Sequence, residues 1–393
     1  MRNPVIVDAI RTPMGRGKAG GVLSTVHPTD LLAGLFKTLL TRHDIDPSTV
    51  DDVIVGCVSQ VGEQSGAPGR LAWLGAGLPE SVPSTTIDRR CGSSQQAVHF
   101  AAQGIAAGAY DIVVAGGVES MSRVPMFSAR IGQDPLGATL YQRYDGGLIP
   151  QGIAAERIAA RWGISREAMD AYAAQSHQRA AAVRDAGHFA AEIAPVTLAD
   201  GVEVRLDETV RDTTTAEGLA GLKASFAEDK WLAHYPEIQW GVSAGNSSQL
   251  CDGASALLIM SEDTARRLNL KPRARFVAFD VIGDDPVMML TAPMPATRRV
   301  LAKAGLKHGD IDHFEVNEAF ASVPLAWLKE FDVDPARLNP RGGALALGHP
   351  LGASGGRLMT TMLHALEQTG GRYGLQTMCE AGGLANATII ERL

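Results

Sequence analysis

One pattern governs what this chain can become. Short runs of strand formers alternate with helix-spaced segments, they do so twice, and a stretch of different texture lies between. In the first part, Val5–Ala9 reads as a short buried strand, Asp30–Leu40 as a helix, Asp52–Val58 as a strand, Ser93–Ala107 as a helix and Asp111–Gly116 as a strand running into glycines. In the last part, Arg273–Phe279 reads as a strand, Ala296–Ala304 as a helix, Phe314–Asn317 as a strand, Gly352–Leu366 as a helix and Leu375–Cys379 as a strand. Strands alternating with helices build a mostly parallel sheet with helices on its faces.

The two parts also correspond in detail. A helix followed by Asp46-Pro47-Ser48-Thr49-Val50-Asp51-Asp52-Val53 compares with a helix followed by His308-Gly309-Asp310-Ile311-Asp312-His313-Phe314. Ala115-Gly116-Gly117 after one strand compares with Ala381-Gly382-Gly383 after another. We read this as an internal duplication. From about Glu119 to Gly241 the alternation stops. Turns are expected at Gly146-Gly147 and Gly152, then helices near Ala154–Trp162 and over Arg166–Ala186, then a polar segment Val202–Thr215. That texture predicts an inserted, loop-rich helical domain covering a site. The matching helices starting after Cys91 and after His349 should then aim their N-termini, with their unpaired N–H groups, toward one region.

Composition narrows the function classes. The 393 residues allow two to three domains at about 150 residues each. The 43 glycines and 5% aromatic content suit close helix–sheet contacts and tight turns. A net charge of −7 argues against a general nucleic-acid surface. The cysteines Cys57, Cys91, Cys251 and Cys379 form no C-x-x-C pair, so neither a zinc site nor a disulfide framework is expected, and no metal is predicted. The first residues carry only a short apolar run before Arg11-Thr12-Pro13, and no apolar run nears the ~18 residues of a spanning helix. The expectation is a reduced, cytoplasmic protein without membrane insertion. Asn246-Ser247-Ser248 fits a glycosylation pattern by chance.

Several residues could carry chemistry. Cys91 sits between Arg89-Arg90 and a Gly-Ser-Ser turn at a helix start, a setting expected to lower a thiol pKa from its usual ~8.5. An ordinary buried cysteine would not need that context. His349 is flanked by Gly348 and, beyond Pro350, by Gly352, as if backbone packs closely around it. Asn317 and Cys379 end strands, where open α/β sheets place their sites. Gly15-Arg16-Gly17-Lys18-Ala19-Gly20 satisfies G-x-G-x-x-G, but no helix follows before Pro28 and no acidic residue ends a second strand at the right distance, so it predicts no dinucleotide site.

These residues resemble the motifs of the thiolase family. Asp88-Arg89-Arg90-Cys91-Gly92-Ser93-Ser94 is similar to its nucleophile motif and Asn317-Glu318-Ala319-Phe320 to its N-E-A-F motif. Gly348–Gly356 is similar to its G-H-P-x-G-x-S-G motif, and Cys379-Glu380-Ala381-Gly382-Gly383 to its C-terminal C-x-G-G motif. Ser243–Ser248 and Asp252-Gly253-Ala254 resemble the segment returning from the loop domain. Each motif alone is modest. The four in order along the whole chain are specific.

The resemblance implies an α/β protein with a duplicated βαβαβαββ thiolase fold, five-layered α-β-α-β-α, with an inserted loop domain. It places residues 1–120 and 243–268 in the first core half, 121–242 in the loop domain over coenzyme A, and 269–393 in the second half. It implies that Cys91 is the acylated nucleophile, His349 its base and Cys379 the acid/base at the α-carbon or the CoA thiol. Asn317 would hold a water that lines one oxyanion hole with His349, and the backbone N–H groups of Cys91 and Ala381 would form the other. Ser248 would lie beside the pantetheine arm, Arg211 near the nucleotide, and Ala319 and Phe320 along the pantetheine tunnel. Coenzyme A would be a co-substrate, no cofactor being permanently bound, and the chain would form a homodimer or homotetramer, with a β-oxidation enzyme as a further partner. Thiolytic cleavage of a 3-oxoacyl-CoA is the implied reaction, in fatty-acid or steroid side-chain degradation.

Some positions depart from the family pattern. Ala381 and Ser94 replace common glycines. Pro150-Gln151 stands where acetoacetyl-forming members have His-Met, which weighs against the alternative of a biosynthetic acetoacetyl-CoA thiolase. The segment Ala227–Gln239, with Trp231, Tyr235 and Trp240, looks longer than in those members and reads equally as a flap or a pocket wall. Cys379 disfavours a condensing ketosynthase. A thiolase-like carrier without turnover would bind 3-oxoacyl-CoA and release it unchanged, and a structural subunit of an oxidation complex would act only with a partner.

Overall fold

The computed structural model describes residues 2–144 and 147–393; the turn expected at Gly146-Gly147 lies partly outside them. The first half runs β1 (Pro4–Arg11), α1 (Pro28–Arg42), β2 (Asp52–Gly56), α2 (Pro68–Gly75), β3 (Ser84–Ile87), α3 (Ser93–Ala107), β4 (Ile112–Ser120) and, after a long excursion, β5 (Cys251–Ser261). The second half runs β6 (Ala274–Gly283), α6 (Pro293–Ala304), β7 (His313–Val316), α7 (Ser322–Glu330), α8 (Ser354–Thr369), β8 (Tyr373–Glu380) and β9 (Leu384–Arg392). Within the excursion the main helices are α4 (Gln151–Arg161) and α5 (Arg166–Asp185).

The strands lie in the order β7-β8-β9-β6-β1-β5-β4-β2-β3. In each half a parallel pair (β2/β4, β7/β8) is followed by two antiparallel pairings (β4/β5 and β5/β1; β8/β9 and β9/β6). The duplication is therefore written into the hydrogen-bond pattern. As strands, among the described residues, the halves pair at two positions, Val5 with Arg275 and Ile6 with Ala274. They are not identical: where the first half has β3, the second has a single bridge between Phe314 and Leu338.

Alternation along each strand sorts side chains into layers. Val53 and Val55 of β2, with Val114 of β4, face α1 and α2, whose Leu32, Phe36, Leu39 and Trp73 fill that side. Ile54, Val113 and Ala115 point the other way, onto Ala97, Val98 and Ile105 of α3 and Met359, Met362 and Leu363 of α8. Ile390 of β9 closes that middle layer from the second half. Beyond it, Ala385, Ala387 and Ile389 of β9 meet Val300 of α6 and Trp327 of α7. The result is α-β-α-β-α, with α3 and α8 shared by both halves. Each fully buried Leu, Ile or Met of the middle layer contributes roughly 1.5–3 kcal/mol relative to exposure.

Two sequence expectations change here, and a third is given a structural role. Ala115-Gly116-Gly117 lies inside β4, whereas Ala381-Gly382-Gly383 forms the turn between β8 and β9, so these triplets are not equivalent positions. In the parallel registers Asp52 pairs with Val113 and His313 with Gly374, which sets Gly117 level with Met378 instead. The polar segment Val202–Thr215 contains a short strand, Glu203–Val204, paired with Val196–Thr197. Gly15–Arg16 pairs with Asp252 and Cys251 of β5, and no helix starts before Pro28, so the glycine motif serves the sheet.

Ser94, unexpected in its motif, ties the two central helices: its hydroxyl accepts the Gly356 N–H at 2.8 Å. The excursion is fastened to the core by buried polar groups. Arg11 of β1 holds Asp207 with two nitrogens, at 2.6 and 2.9 Å, and Glu192 at 2.6 Å. Glu318 accepts from Tyr172 and Ser176 of α5, from Asn339 and from the Leu345 N–H. Asn246 is fully buried, donating to Asp170 and the Gly241 carbonyl, which rules it out as a glycosylation site. Among the described residues no helix is long and apolar enough to cross a membrane.

Candidate active site

Two neighbouring parallel strands of the second half deliver side chains to one place. β7 and β8 run in register, with Val316 opposite Thr377, and the Asn317 N–H donates to the Thr377 carbonyl at 3.1 Å. Asn317 therefore emerges beside Cys379, near the end of β8. Asn317 Nδ2 lies 3.9 Å from Cys379 Sγ, and that sulfur lies 3.8 Å from the Asn317 carbonyl oxygen.

His349 arrives from the loop before α8. Gly348 has φ +86°, and a Cβ there would sit 2.6 Å from Cys251 Sγ, so only glycine lets the loop take this path. The His349 N–H is held by the Gln249 carbonyl at 3.0 Å. Its ring Nδ1 is 2.6 Å from Ser354 Oγ, and the Ser354 hydroxyl donates to the Pro350 carbonyl at 2.8 Å. With its own proton committed, Ser354 accepts from Nδ1–H, which leaves Nε2 with a free lone pair. Nε2 lies 3.5 Å from Asn317 Nδ2. Burial, reinforced by the positive charge of Arg357, holds the His349 pKa down to about 3. The imidazole is neutral across physiological pH, with its lone pair at Nε2.

Cys91 stands two residues before α3, next to its capping Gly92 and after Arg90 at φ +50°. Its thiol is not depressed as its sequence context predicts. Burial, with Cys379 and Glu380 adding to it, pushes the pKa well above the ordinary thiol value. Desolvation outweighs what Arg90, an exposed side chain paired to Asp88, can offset. Cys379 is likewise pushed up, to about 12, by burial, with the Asn317 hydrogen bond pulling the other way. The resting site holds two thiols and a neutral base, an arrangement able to pass a thiol proton to Nε2 as a nucleophile attacks.

Cys91 and His349 open into one cavity of about 230 Å³. Ser248, Ala319 and Phe320 line the same cavity, and the Ser248 N–H donates to the Ala319 carbonyl at 2.9 Å. Asn317, 3.5 Å from His349 Nε2, and Cys379, 3.9 Å from Asn317 Nδ2, are not among the cavity's lining residues. Ala381, half-buried, begins the turn after β8, and neither its N–H nor that of Cys91 donates to another protein group among the described residues. Arg211 stands apart. It is exposed and does not line the cavity, though its guanidinium donates to Gln249 Oε1 at 3.0 Å.

Other participants escape sequence reasoning. Ser354 belongs to a quoted motif, but nothing in that motif says its hydroxyl orients an imidazole. Gln249 secures the cavity wall by donating to the Thr209, Leu345 and Ala346 carbonyls. Glu380 lies against the start of α3: a Cβ on Gly92 would meet Glu380 Oε1 at 1.8 Å. That oxygen accepts the Asn386 N–H at 3.1 Å, Oε2 has no partner, and burial pushes the carboxyl pKa well up. Among the described residues no group of three His, Cys, Asp or Glu could hold a metal ion.

Comparison with known families decides the matter. The thiolase N-terminal domain matches residues 4–263 and the thiolase C-terminal domain matches residues 270–392. The chain belongs to the thiolase family. This thiolase is 49% identical to a steroid 3-ketoacyl-CoA thiolase of Mycobacterium tuberculosis, an alignment covering 100% of this chain and 95% of that protein. It is 46% identical to a 3-ketoacyl-CoA thiolase of Erwinia tasmaniensis, and 44% identical to a 3-oxoadipyl-CoA/3-oxo-5,6-dehydrosuberyl-CoA thiolase of Escherichia coli, each over 100% of both chains. The crystal structure of the Bacillus anthracis acetyl-CoA acetyltransferase matches it with a TM-score of 0.89 and 36% identity, over 100% of this chain and 99% of that one. This thiolase is accordingly an acyltransferase.

Proposed function

We propose that this thiolase works in the degradative direction, cleaving a 3-oxoacyl-CoA with free coenzyme A into acetyl-CoA and an acyl-CoA two carbons shorter. The observation that carries the reading is the fixed tautomer of His349. Its Nδ1–H is committed to Ser354, its Nε2 lies 3.5 Å from Asn317 Nδ2, and the residue lines the cavity that Cys91 shares.

In the sequence we propose, Cys91 gives its proton to His349 Nε2 and its sulfur attacks the 3-oxo carbon. The bond between carbons 2 and 3 breaks, and its electron pair leaves as the acetyl-CoA enolate. An enolate needs hydrogen-bond donors aimed at its oxygen, a role that falls to His349 and to a water held by Asn317. Cys379 supplies the proton to carbon 2 and becomes a thiolate. Acetyl-CoA departs, leaving a thioester on Cys91. Incoming CoA gives its thiol proton to Cys379 and attacks the thioester, whose oxyanion would be held by the N–H groups of Cys91 and Ala381. Cys91 leaves as the thiolate and recovers its proton. Ser248, Ala319 and Phe320 would line the pantetheine path and Arg211 would meet the nucleotide. Pro150-Gln151, in place of the His-Met pair of acetoacetyl-forming members, supports breakdown over acetoacetyl-CoA synthesis. We place the enzyme in the cytoplasm as a homodimer or homotetramer, beside the β-oxidation enzyme that supplies its substrate.

The test uses both cysteines. Wild-type protein given acyl-CoA should carry an acyl mass on the peptide containing Cys91, and Cys91→Ala should lose turnover while still binding CoA. Cys379→Ser should still acylate Cys91 but fail at carbon–carbon cleavage and at hydrogen exchange of acetyl-CoA, because serine is too weak an acid. Equal losses in acylation and thiolysis would remove Cys379 from the mechanism. An acyl group on Cys379 would overturn the assignment.

A further inference from the structure

Among the polar side chains lining the cavity shared by Cys91 and His349, one is half-buried, unused by the reaction and without a protein partner among the described residues. Gln151 is the first residue of α4, follows Pro150 and lines the cavity half-buried. Its amide has no protein hydrogen-bond partner among the described residues. Gln249, in the same wall, has its amide fully committed to backbone carbonyls and Arg211. Ser225, also in the wall, is exposed.

The surroundings of Gln151 are apolar. Met121, Met126 and Leu351 share the wall, and the Phe226 ring lies against Gly152, where a Cβ would meet it at 2.2 Å. Phe226 also meets Phe320 edge-on, with ring centroids 6.2 Å apart. Among the described residues neither arginine nor lysine lines the cavity. A free amide in such a wall donates to a carbonyl oxygen or accepts from a hydroxyl. It cannot neutralise a carboxylate, which would shed its water without gaining a countercharge.

We propose that Gln151 selects acyl chains bearing a neutral oxygen, a ketone or a hydroxyl, beyond the 3-oxo group, and that chains ending in a carboxylate are rejected. This rests on the thiolase reading above. It narrows the substrate class to oxygenated but uncharged acyl groups, such as those left by partial breakdown of a ring system or an oxidised chain.

Thiolysis rates separate the two levels of the claim. The panel is 3-oxooctanoyl-CoA, its analogues with a second ketone at carbon 6 or carbon 7, and 3-oxosuberyl-CoA, which has the same length and a terminal carboxylate. Wild type should cleave 3-oxooctanoyl-CoA, which tests the reaction itself. One of the diketones should exceed it in kcat/KM by about fivefold to tenfold, the worth of one net hydrogen bond. The dicarboxylate should fall at least about tenfold below it. Gln151→Leu should bring the diketone-to-alkyl ratio to near one. Gln151→Met, closer in length, should do the same and guard against a folding artefact, with its melting temperature measured alongside. An unchanged ratio in both variants, or a preference for 3-oxosuberyl-CoA, overturns the proposal while leaving thiolysis standing. Failure to cleave any of the panel overturns both.

Discussion

Glu380 separates the residues whose part a sequence can announce from those whose part only the fold reveals. Burial holds its carboxyl pKa well above the usual 4.5, so in the pH range just above that value the fold keeps the neutral acid. The sign follows from linkage: the unfolded chain releases this proton once pH passes about 4.5 while the folded chain keeps it, so wild-type stability falls as pH rises above that value. Glu380→Gln keeps the shape and removes the proton. Its melting temperature relative to wild type should rise progressively from pH 4 toward neutrality; a difference independent of pH would mean that Glu380 is ionised in the fold. Cys91, His349, Asn317 and Cys379 could be nominated beforehand because glycines or strand ends mark each of them. Nothing marks Glu380 or Ser354 in that way. Their effects depend on Gly92 and Pro350, and on which side of a strand or loop the chain turns. The thiol pKa of Cys91 was misread for the same reason, since local sequence displays the nearby arginines but not the desolvation that outweighs them.

At the level of elements, the approach of β8 to α3 is the tightest constraint near the site. Gly92→Ala would drive a methyl into Glu380 Oε1. We expect it to cost about 1–3 kcal/mol, the usual range for overpacking, and to slow acylation by shifting Cys91. Adding Glu380→Ala should recover much of both losses. A double-mutant cycle with urea unfolding and rapid-quench acylation measures this, and additive effects would show that the contact does not matter. Most elements were legible from spacing: α3 came out at the expected residues and β7 one residue away. β5 and β9 were not legible as strands. Every residue of β5 is buried, so no polar–apolar alternation remains to read, and its opening Asp252-Gly253 looks like a turn. In β9, Asn386 and Thr388 break the apolar run, and both are buried by pairing with α3 through Gln96 and Gln95.

Across the whole molecule, the junction of the halves carries a charge cluster. Asp8 of β1 accepts from Arg273, just before β6, at 2.6 Å, and is 3.0 Å from His43 Nε2. Burial alone would raise its pKa, but His43 and Arg273 bring it to about 2, below the reference 3.8. A depressed carboxylate stabilises the fold above the unfolded pKa and ceases to do so as pH falls through the folded one. Asp8→Asn should therefore cost about 2 kcal/mol at pH 7, with the gap to wild type closing between about pH 4 and pH 2 in urea titrations. A gap that persists at pH 2 would assign the effect to packing. The duplicated plan could be read in the sequence from its alternation. The shared middle layer and the two-pair seam could not, because they depend on contacts between distant segments.

The symmetry of the halves also shows where the long excursion enters. β4 and β5 correspond to β8 and β9, and each is a pair of adjacent antiparallel strands. In the second half three residues, 381–383, close the hairpin. In the first half the hairpin opens at Ser120, paired with Asp252, and the whole of residues 121–250 hangs from its tip. Met121, Met126, Gln151 and Phe226, which shape the wall of the cavity, all belong to that tip, whereas Cys91, Asn317, His349 and Cys379 belong to the frame. A lineage can thus rewrite what the enzyme accepts by editing one loop, with no strand changing its neighbour. On the reading proposed above, acyl-chain selection and bond-making then fall to separate stretches of the chain.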